Sequence, residues 1–168
     1  MPEAAKTYVR WVDAINYRVG RFAMYLLFVL MAIMLWSSAS KIAHLPANWT
    51  LETAQFIFVA YYLLGAPYSM QMNSNVRMDL FYGRLSPRKQ VQCDIITIFA
   101  LIFYLGVMLY GAIDSTVYAF SINERSPTAW RPPLWPIKLA TCIAFALLLL
   151  QTIAHFFRDL AALRGEEI

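Results

Sequence analysis

Four long apolar runs divide the chain, and each has the length of a helix that crosses a membrane. Such a helix needs about 20 apolar residues to cross the hydrocarbon core of a bilayer. The predicted spans fall at about residues 22–43, 51–70, 91–113 and 134–157. Hydrophobic residues make up 60% of the 168 residues and charged residues 14%, against roughly 45–50% and about 25% in soluble proteins. The sequence therefore predicts an all-α membrane protein with four transmembrane helices in a single domain, residues 1–168.

Local signals mark the ends of several spans. Thr50 is a candidate N-cap for the second span, and Pro67 should bend or end it. The Ser-Pro pair at residues 86–87 predicts a helix start, because it places a capping side chain before a proline at the first helical position. The first run also has the features of a secretory signal peptide, with basic residues before it and small residues at 38–40 after it. We expect it to be retained as a span.

The first 21 residues carry an amphipathic pattern. Apolar side chains recur every three or four positions, and charged side chains fall elsewhere on the helical wheel. The apolar positions are Tyr8, Trp11 or Val12, Ile15, Val19 and Phe22, and the charged positions are Lys6, Arg10, Asp13 and Arg18. We predict an interfacial helix at residues 1–21, with Arg10, Trp11 and Arg18 anchoring it in membrane lipid. A solvated, irregular lead-in remains the alternative.

The distribution of positive charge predicts the orientation, because cytoplasmic loops carry an excess of Lys and Arg. Of the 14 such residues, four lie in residues 1–21, four in 71–90 and two in the C-terminal tail. Both termini are therefore predicted to be cytoplasmic. Tryptophan favours the membrane interface, and four of the five tryptophans gather toward the outer end: Trp36, Trp49, Trp130 and Trp135. The cations lie at the ends of spans and form no continuous stripe, so nucleic acid is not an expected partner.

Ionisable side chains are scarce at hydrocarbon depth, where a charge is costly and marks a functional site. Four of them fall near the ends of spans: Glu52, Asp94, Asp114 and Lys138. His44 and His155 lie at opposite sides of the membrane, so they cannot be axial ligands of one haem. No catalytic or phosphate-binding motif is present. The sequence therefore predicts no enzyme activity, no cofactor and no metal site.

Glu52 is the most informative of these charges. A carboxylate in the first turn of a helix is favoured by the helix dipole, which would explain it without a partner. The alternative is a buried ion pair or hydrogen bond to another helix, in this chain or in a partner. Arg77 and Asp79 are two residues apart and point in different directions on a helix, so they are not expected to pair with each other.

Taken in order, these boundary features resemble the DctQ-like small membrane subunit of the tripartite ATP-independent periplasmic (TRAP) transporters. The resemblance covers nearly the whole chain, from the basic amphipathic N-terminus through the four spans. It rests on Trp49-x-x-Glu52, on Leu64-Gly65-Ala66 followed by Tyr68, on Val76-Arg77-Met78-Asp79 and on Leu85-Ser86-Pro87-Arg88. Ser126-Pro127 and the proline- and tryptophan-rich start of the fourth span are also similar. The family often has His before the Arg-x-Asp element, where this chain has Asn75, so no role of that imidazole carries over.

The resemblance implies a subunit of a sodium-coupled secondary transporter in the bacterial inner membrane. In such a system a periplasmic substrate-binding protein captures an organic anion, usually a carboxylate, and delivers it to a membrane complex. The large membrane subunit resembles an elevator-type carrier and holds the substrate and sodium sites. The small subunit supports the fixed scaffold and helps to dock the binding protein. Trp49, Glu52, Arg77 and Asp79 are then the expected structural or partner-contact residues, with Trp130 and Trp135 as interfacial anchors.

Two other functions remain open. One is a membrane-anchor subunit of a multi-chain enzyme or electron-transfer complex, whose active site another chain would complete. The other is an autonomous small multidrug-type exporter, which is disfavoured because such a carrier needs an acidic residue well inside a span.

Overall fold

A computed structural model describes residues 3–45, 47–72 and 87–164, and these residues form four helices. α1 is Glu3–Ile42, α2 is Trp49–Gln71, α3 is Pro87–Ser121 and α4 is Trp135–Arg164. Within the described ranges the strand-like pairing is limited to one isolated bridge, between Arg125 and Pro133 in the loop that follows α3. The predicted all-helical fold is confirmed.

The helices form a packed group of three with a fourth at its side. α1 and α2 are neighbours joined by a short turn, and α4 packs on both of them, whereas α3 packs mainly on α4. The C-terminal part of α2 meets the C-terminal half of α4, because His155 contacts the Met70 carbonyl. α2 and α4 therefore run in the same direction, and the turn after α1 and the loop after α3 lie at the same end. We call this the turn end and the opposite end the junction end.

α1 is one unbroken helix of 40 residues, about 60 Å long at 1.5 Å per residue. The sequence predicted an interfacial helix up to residue 21 and a separate span from residue 22. The structure corrects this boundary, because the helix continues through it. The segment contains no proline, and its one glycine, Gly20, remains helical. Nothing in the sequence therefore interrupts the backbone hydrogen bonds at the predicted boundary.

The N-terminal part of α1 packs on protein. Val9 and Val12 form a small apolar core with Ala154 of α4, and Ala5 is buried on the same face of α1. Tyr8, Leu150 and Phe157 surround this core. Trp11 and Phe22, which the helical wheel assigned to the apolar face, are instead 60% and 61% exposed. The buried stripe is thus rotated from the predicted one, toward the smaller side chains.

The structure places three features that were expected to mark helix ends. α3 begins at Pro87, as predicted. α2 has Asn48 as its N-cap, and Thr50 lies inside the helix, where its backbone N–H and its hydroxyl both donate to the Ala47 carbonyl, at 3.2 and 2.8 Å. Pro67 does not end α2 either, because the helix continues to Gln71 with Pro67 buried inside it.

Within the described parts of the chain, three segments are long and apolar enough to cross a membrane: Ala5–Ile42, Ile96–Ser121 and Trp135–Ala161. These segments identify a multi-pass membrane protein. α2 has 23 residues, or about 35 Å, which is sufficient in length. It is not one of these three segments, so its role as a fourth span stays a prediction.

α1 and α2 approach each other closely at Gly20. A Cβ atom at this position would lie 2.3 Å from the Cβ and 2.4 Å from the Cγ of Tyr68. Only glycine therefore leaves room for Tyr68, whose ring centroid also lies 5.9 Å from that of Tyr17. Small residues at helix crossings let the backbones of membrane helices pack closely.

We expect the substitution Gly20→Ala to separate α1 from α2, because the new methyl group would overlap Tyr68. Overpacking of this kind typically costs about 1–3 kcal/mol. Gly65→Ala on α2 is the matched control, since a Cβ there meets nothing within 4 Å. The measurement is the free energy of unfolding of the purified protein in mixed micelles. Equal stability of the two variants would contradict the close approach at Gly20.

Candidate functional site

A polar junction joins three helices near the junction end. It consists of Asp13 and Asn16 of α1, Gln71 of α2, and Gln151 and Arg158 of α4. The Arg158 guanidinium forms an ion pair with Asp13 Oδ2, while Gln151 Nε2 donates to Asp13 Oδ1 at 3.2 Å. Asn16 Nδ2 donates to Gln151 Oε1 at 2.5 Å, and Gln71 Nε2 donates to the Asp13 carbonyl at 3.3 Å. Asp13 is therefore held by a donor from each of two neighbouring helices.

Further contacts from α4 extend the polar junction. His155 Nε2 lies 2.9 Å from the Met70 carbonyl and donates to it, which ties the end of α2 to α4. The Tyr8 hydroxyl donates to the Leu150 carbonyl at 3.1 Å, and the Tyr8 ring packs edge-on against Phe157 at 6.0 Å. Each helix of the packed group thus makes polar contacts with another at this level.

The chemistry of the junction is suited to holding helices. Both oxygens of the Asp13 carboxylate have donors. The Gln151 amide donates through Nε2 and accepts through Oε1. Two buried acceptors, Asn16 Oδ1 and Gln71 Oε1, have no partner among the described residues. Nowhere in residues 3–45, 47–72 and 87–164 do three or more His, Cys, Asp or Glu side chains group as metal ligands.

Sequence reasoning missed this junction. Asp13 was assigned to the solvated face of an interfacial helix, whereas the structure places it against α4. The available signal was on α4, where Gln151, His155 and Arg158 follow the leucine-rich run at positions i, i+4 and i+7 and so share one helical face. A polar stripe of this kind at the end of a span predicts a polar partner, but it does not say which helix supplies it.

The turn end holds Glu52, the residue that the sequence singled out. Its side chain is only 7% exposed, and its Oε2 has no hydrogen-bond partner among the described residues. Beside it along α2, the Thr50 and Ser37 hydroxyls lie 3.1 Å apart and join α2 to α1. A buried carboxylate oxygen without a donor is costly, so this arrangement is incomplete within the part of the chain that the structure describes.

The other predicted contact and anchoring residues are dispersed. Trp49 is the first residue of α2 and is 41% exposed, while Arg77 and Asp79 lie outside the described residues. Arg10, Trp11 and Arg18 are exposed on α1. Trp130 and Trp135 are exposed at the turn end, where the Trp135 ring packs edge-on against Phe120 at 6.4 Å. The structure therefore does not bring the predicted contact residues together in one site.

The loop between α3 and α4 is closed by its own contacts. Lys138 Nζ lies 2.5 Å from Glu124 Oε2 and 3.5 Å from the Ser115 carbonyl. The Leu134 backbone N–H donates to the Glu124 carbonyl at 3.0 Å. Further from the loop, the Thr116 hydroxyl donates to the Ala112 carbonyl. The same hydroxyl lies 3.2 Å from the Cys142 thiol and so joins α3 to α4. Charge and polar contacts thus gather at the turn end as they do at the junction end.

The segments between the two ends carry no Asp, Glu, Lys, Arg or His: residues 22–40 of α1, 53–71 of α2, 97–113 of α3 and 139–154 of α4. Large apolar side chains on α1 and α3 face outward there, among them Phe28, Leu35, Phe99, Phe103 and Tyr110, each more than half exposed. This arrangement defines an integral membrane protein whose polar groups fix its helices at the ends and whose middle surface is apolar.

Comparison with known proteins identifies the family. The family model "Tripartite ATP-independent periplasmic transporters, DctQ component" matches residues 30–162. The chain therefore belongs to the DctQ family, the small permease subunits of TRAP transporters, and the resemblance drawn from its motifs is confirmed.

A curated relative supports this assignment. The chain is 29% identical over 111 residues to the isethionate TRAP transporter permease protein DctMQ of Oleidesulfovibrio alaskensis. The match covers 64% of this chain and 17% of that relative, so the chain corresponds to a small part of the longer protein. No solved structure matches the chain.

We expect Gln151→Leu to destabilise the packing of α1 on α4, because it removes the acceptor of Asn16 Nδ2 and the donor to Asp13 Oδ1. The loss should be about 1–3 kcal/mol, the usual cost of leaving buried polar groups unpaired, and should fall toward the lower value in a membrane. Gln55→Leu makes the same chemical change at an exposed position of α2 and should have little effect. The readout is the free energy of unfolding in mixed micelles. Similar values for the two variants would show that the junction does not hold the helices.

Proposed function

We propose that this subunit acts as a fixed scaffold in a sodium-coupled TRAP transporter that imports organic anions. In this proposal a separate large membrane subunit, an elevator-type carrier, holds the substrate and sodium sites. The small subunit supports that carrier and helps to dock the periplasmic substrate-binding protein. The complex lies in the bacterial inner membrane, with both termini of this chain in the cytoplasm.

The absence of ionisable groups from the middle of the described helices carries this proposal. Carriers and pumps keep charged side chains at membrane depth because these groups bind the transported ion or substrate. Here the polar junction and the turn end hold the charges and buried polar groups, and their contacts hold helices together. A chain with this distribution is suited to supporting a carrier and poorly suited to being one.

A large membrane partner is supported by two further observations. The relative named DctMQ is much longer than the segment that this chain matches, which is 17% of its length. The outward faces of α1 and α3 also offer broad apolar surfaces at membrane depth, on which another membrane protein could pack through shape and dispersion contacts.

The substrate class is an organic anion. The name of the relative specifies isethionate, a sulfonate, whereas the family resemblance suggests carboxylates. Both are small molecules with a compact negative charge. We therefore propose uptake of a small organic anion, whose carboxylate or sulfonate group is recognised by the binding protein and the large subunit.

The alternative as an anchor of an electron-transfer complex receives less support. His155 donates to Met70 near the end of α2, whereas His44 follows α1 just before α2 begins. These histidines lie at opposite ends of a helix of 23 residues, about 35 Å apart along its axis. They could not hold one haem between them.

Reconstitution tests the transport assignment. The chain is purified in mild detergent from membranes that also contain its neighbouring membrane proteins, and the complex is placed in liposomes with an inward sodium gradient. We expect a large multi-span protein to co-purify, and uptake of a labelled carboxylate or sulfonate to require that protein, this chain and the binding protein together. Sodium-driven uptake by this chain alone would contradict the scaffold function. A haem absorbance band in the complex would instead favour the electron-transfer alternative.

Glu52 provides a second test, at the level of assembly. If a partner chain supplies the donor that its Oε2 lacks, Glu52→Gln should weaken co-purification of the large subunit about tenfold or more, since a charge-assisted bond contributes about 1.5–3 kcal/mol. Asp114→Asn is the control, because it neutralises an exposed carboxylate at the same end. The measurement is the ratio of the two subunits after washing. Intact assembly in Glu52→Gln would leave the helix dipole as the explanation of this residue.

A further inference from the structure

A cleft opens between α3 and the other three helices. Its volume is about 530 Å³, and its walls include Ala23 and Met24 of α1, Tyr62 and Gly65 of α2, Leu101 of α3 and Leu148 of α4. It exists because α3 packs mainly on α4. Such a volume lies within the range of about 300–1,000 Å³ that is typical of small-molecule sites.

The cleft lies at membrane depth, in the half of the bundle that contains the polar junction. Its α1 walls stand at the start of the first apolar run, and its α2 walls come from the C-terminal half of that helix. At Gly65 there is open space, because a Cβ would meet no atom within 4 Å. In a bilayer, an open apolar cleft at this depth faces the acyl chains of the leaflet on the junction side.

A cation, Arg21, lies beside the walls of the cleft at the start of the first apolar run, although it is not itself a wall residue. Arg21 directly follows Gly20, which lines the cleft. Its Nη1 lies 3.5 Å from the Tyr17 hydroxyl, and its guanidinium carbon lies 5.7 Å from the Tyr17 ring centroid. Tyr17 in turn packs beside Tyr68, which is also a wall residue. The ion pairs identified among the described residues do not include Arg21, so its charge is available to an anion.

We propose that this cleft binds an anionic phospholipid, with an acyl chain between α2 and α3 and the phosphate group beside Arg21. The apolar walls match an acyl chain, and the Arg21 cation beside those walls matches the headgroup charge. The size argues against a partner helix as the occupant. A helix is about 10 Å wide with a pitch of 5.4 Å, so a volume of about 530 Å³ holds little more than one turn.

Native mass spectrometry of the complex, purified in mild detergent, tests this proposal. We expect each copy of the chain to retain one phospholipid after extended detergent washing. Gly65→Leu should abolish the retention, because its side chain would occupy part of the cleft, starting from a Cβ that meets no protein atom within 4 Å. Gly111→Leu on α3 is the matched control, since it also points into open space but is not a wall of the cleft. Equal retention in Gly65→Leu and wild type, or no retained phospholipid in wild type, would overturn the proposal.

Arg21→Gln tests the headgroup part and does not alter the packing of the cleft. A Lys or Arg near a membrane surface contributes about fivefold to the binding of an anionic lipid. We expect the variant to lose about this factor in its preference for phosphatidylglycerol over phosphatidylcholine, when both lipids are added to delipidated complex. Arg125→Gln, at the turn end, removes the same charge and should leave the preference unchanged. An unchanged preference in Arg21→Gln would overturn the assignment of the phosphate to Arg21. This test does not require Gly65→Leu, so it decides the assignment even if that variant fails to assemble.

Cysteine cross-linking distinguishes the lipid from a protein occupant. In a Cys93→Ser, Cys142→Ser background, which removes the two free cysteines, Gly65→Cys should be labelled by a thiol-reactive phospholipid analogue that carries its reactive group on the acyl chain. Efficient disulfide formation between that cysteine and a cysteine scanned along the partner's helices would instead place protein in the cleft and overturn the proposal. Both measurements use the assembled complex, so they remain informative whichever anion the transporter carries.

Discussion

The ion pair between Asp13 and Arg158 is the contact on which the arrangement of α1, α2 and α4 depends. Inside a bilayer, apolar side chains gain little by moving from lipid to protein, so polar contacts and close packing decide which helices associate. Asp13 also accepts from Gln151 through its side chain and from Gln71 through its backbone. Breaking the pair would leave a partly buried charge without its partner, which is expensive in a medium of low dielectric constant. The pair therefore specifies one register of α1 on α4.

Over the next two turns of α1, close packing takes over from polar contacts in fixing the helix against its neighbours. Where the polar contacts end, Gly20 lets α1 approach α2 closely enough for the Tyr68 ring to lie on its backbone. Polar bonding and close packing thus fix the same stretch of α1 from two sides. α3 is held along α4 by contacts such as the one between Thr116 and Cys142. The cleft lies where α3, which packs mainly on α4, stands beside α1 and α2.

The apolar runs alone predict the helical type of the elements and the approximate positions of α2, α3 and α4. Span-length runs, and the proline that opens α3, mark elements that are stable for local reasons. The errors concern the places where two helices meet. A helical wheel separates an apolar face from a charged face, but it cannot show that Asp13 faces another helix and that Trp11 is exposed, because this depends on where Arg158 and Gln151 lie. The boundary expected at residue 21 failed for a related reason: a change in composition from amphipathic to apolar does not break a helix unless the backbone hydrogen bonds are also interrupted.

The candidate site shows the same division between local and tertiary information. The exposure of Trp49 at the start of α2 could be expected from its place beside a turn, whereas the burial of Glu52 could not, because neighbouring helices enclose it. The Glu52 Oε2 atom has no donor among the described residues. This indicates that the folded chain lacks a hydrogen-bond donor at this position. The polar junction satisfies both oxygens of the Asp13 carboxylate internally, and its unpaired buried atoms, Asn16 Oδ1 and Gln71 Oε1, are neutral amide oxygens. The turn end leaves a carboxylate oxygen of Glu52 without a donor, and this asymmetry makes it the end where the subunit depends more on its surroundings.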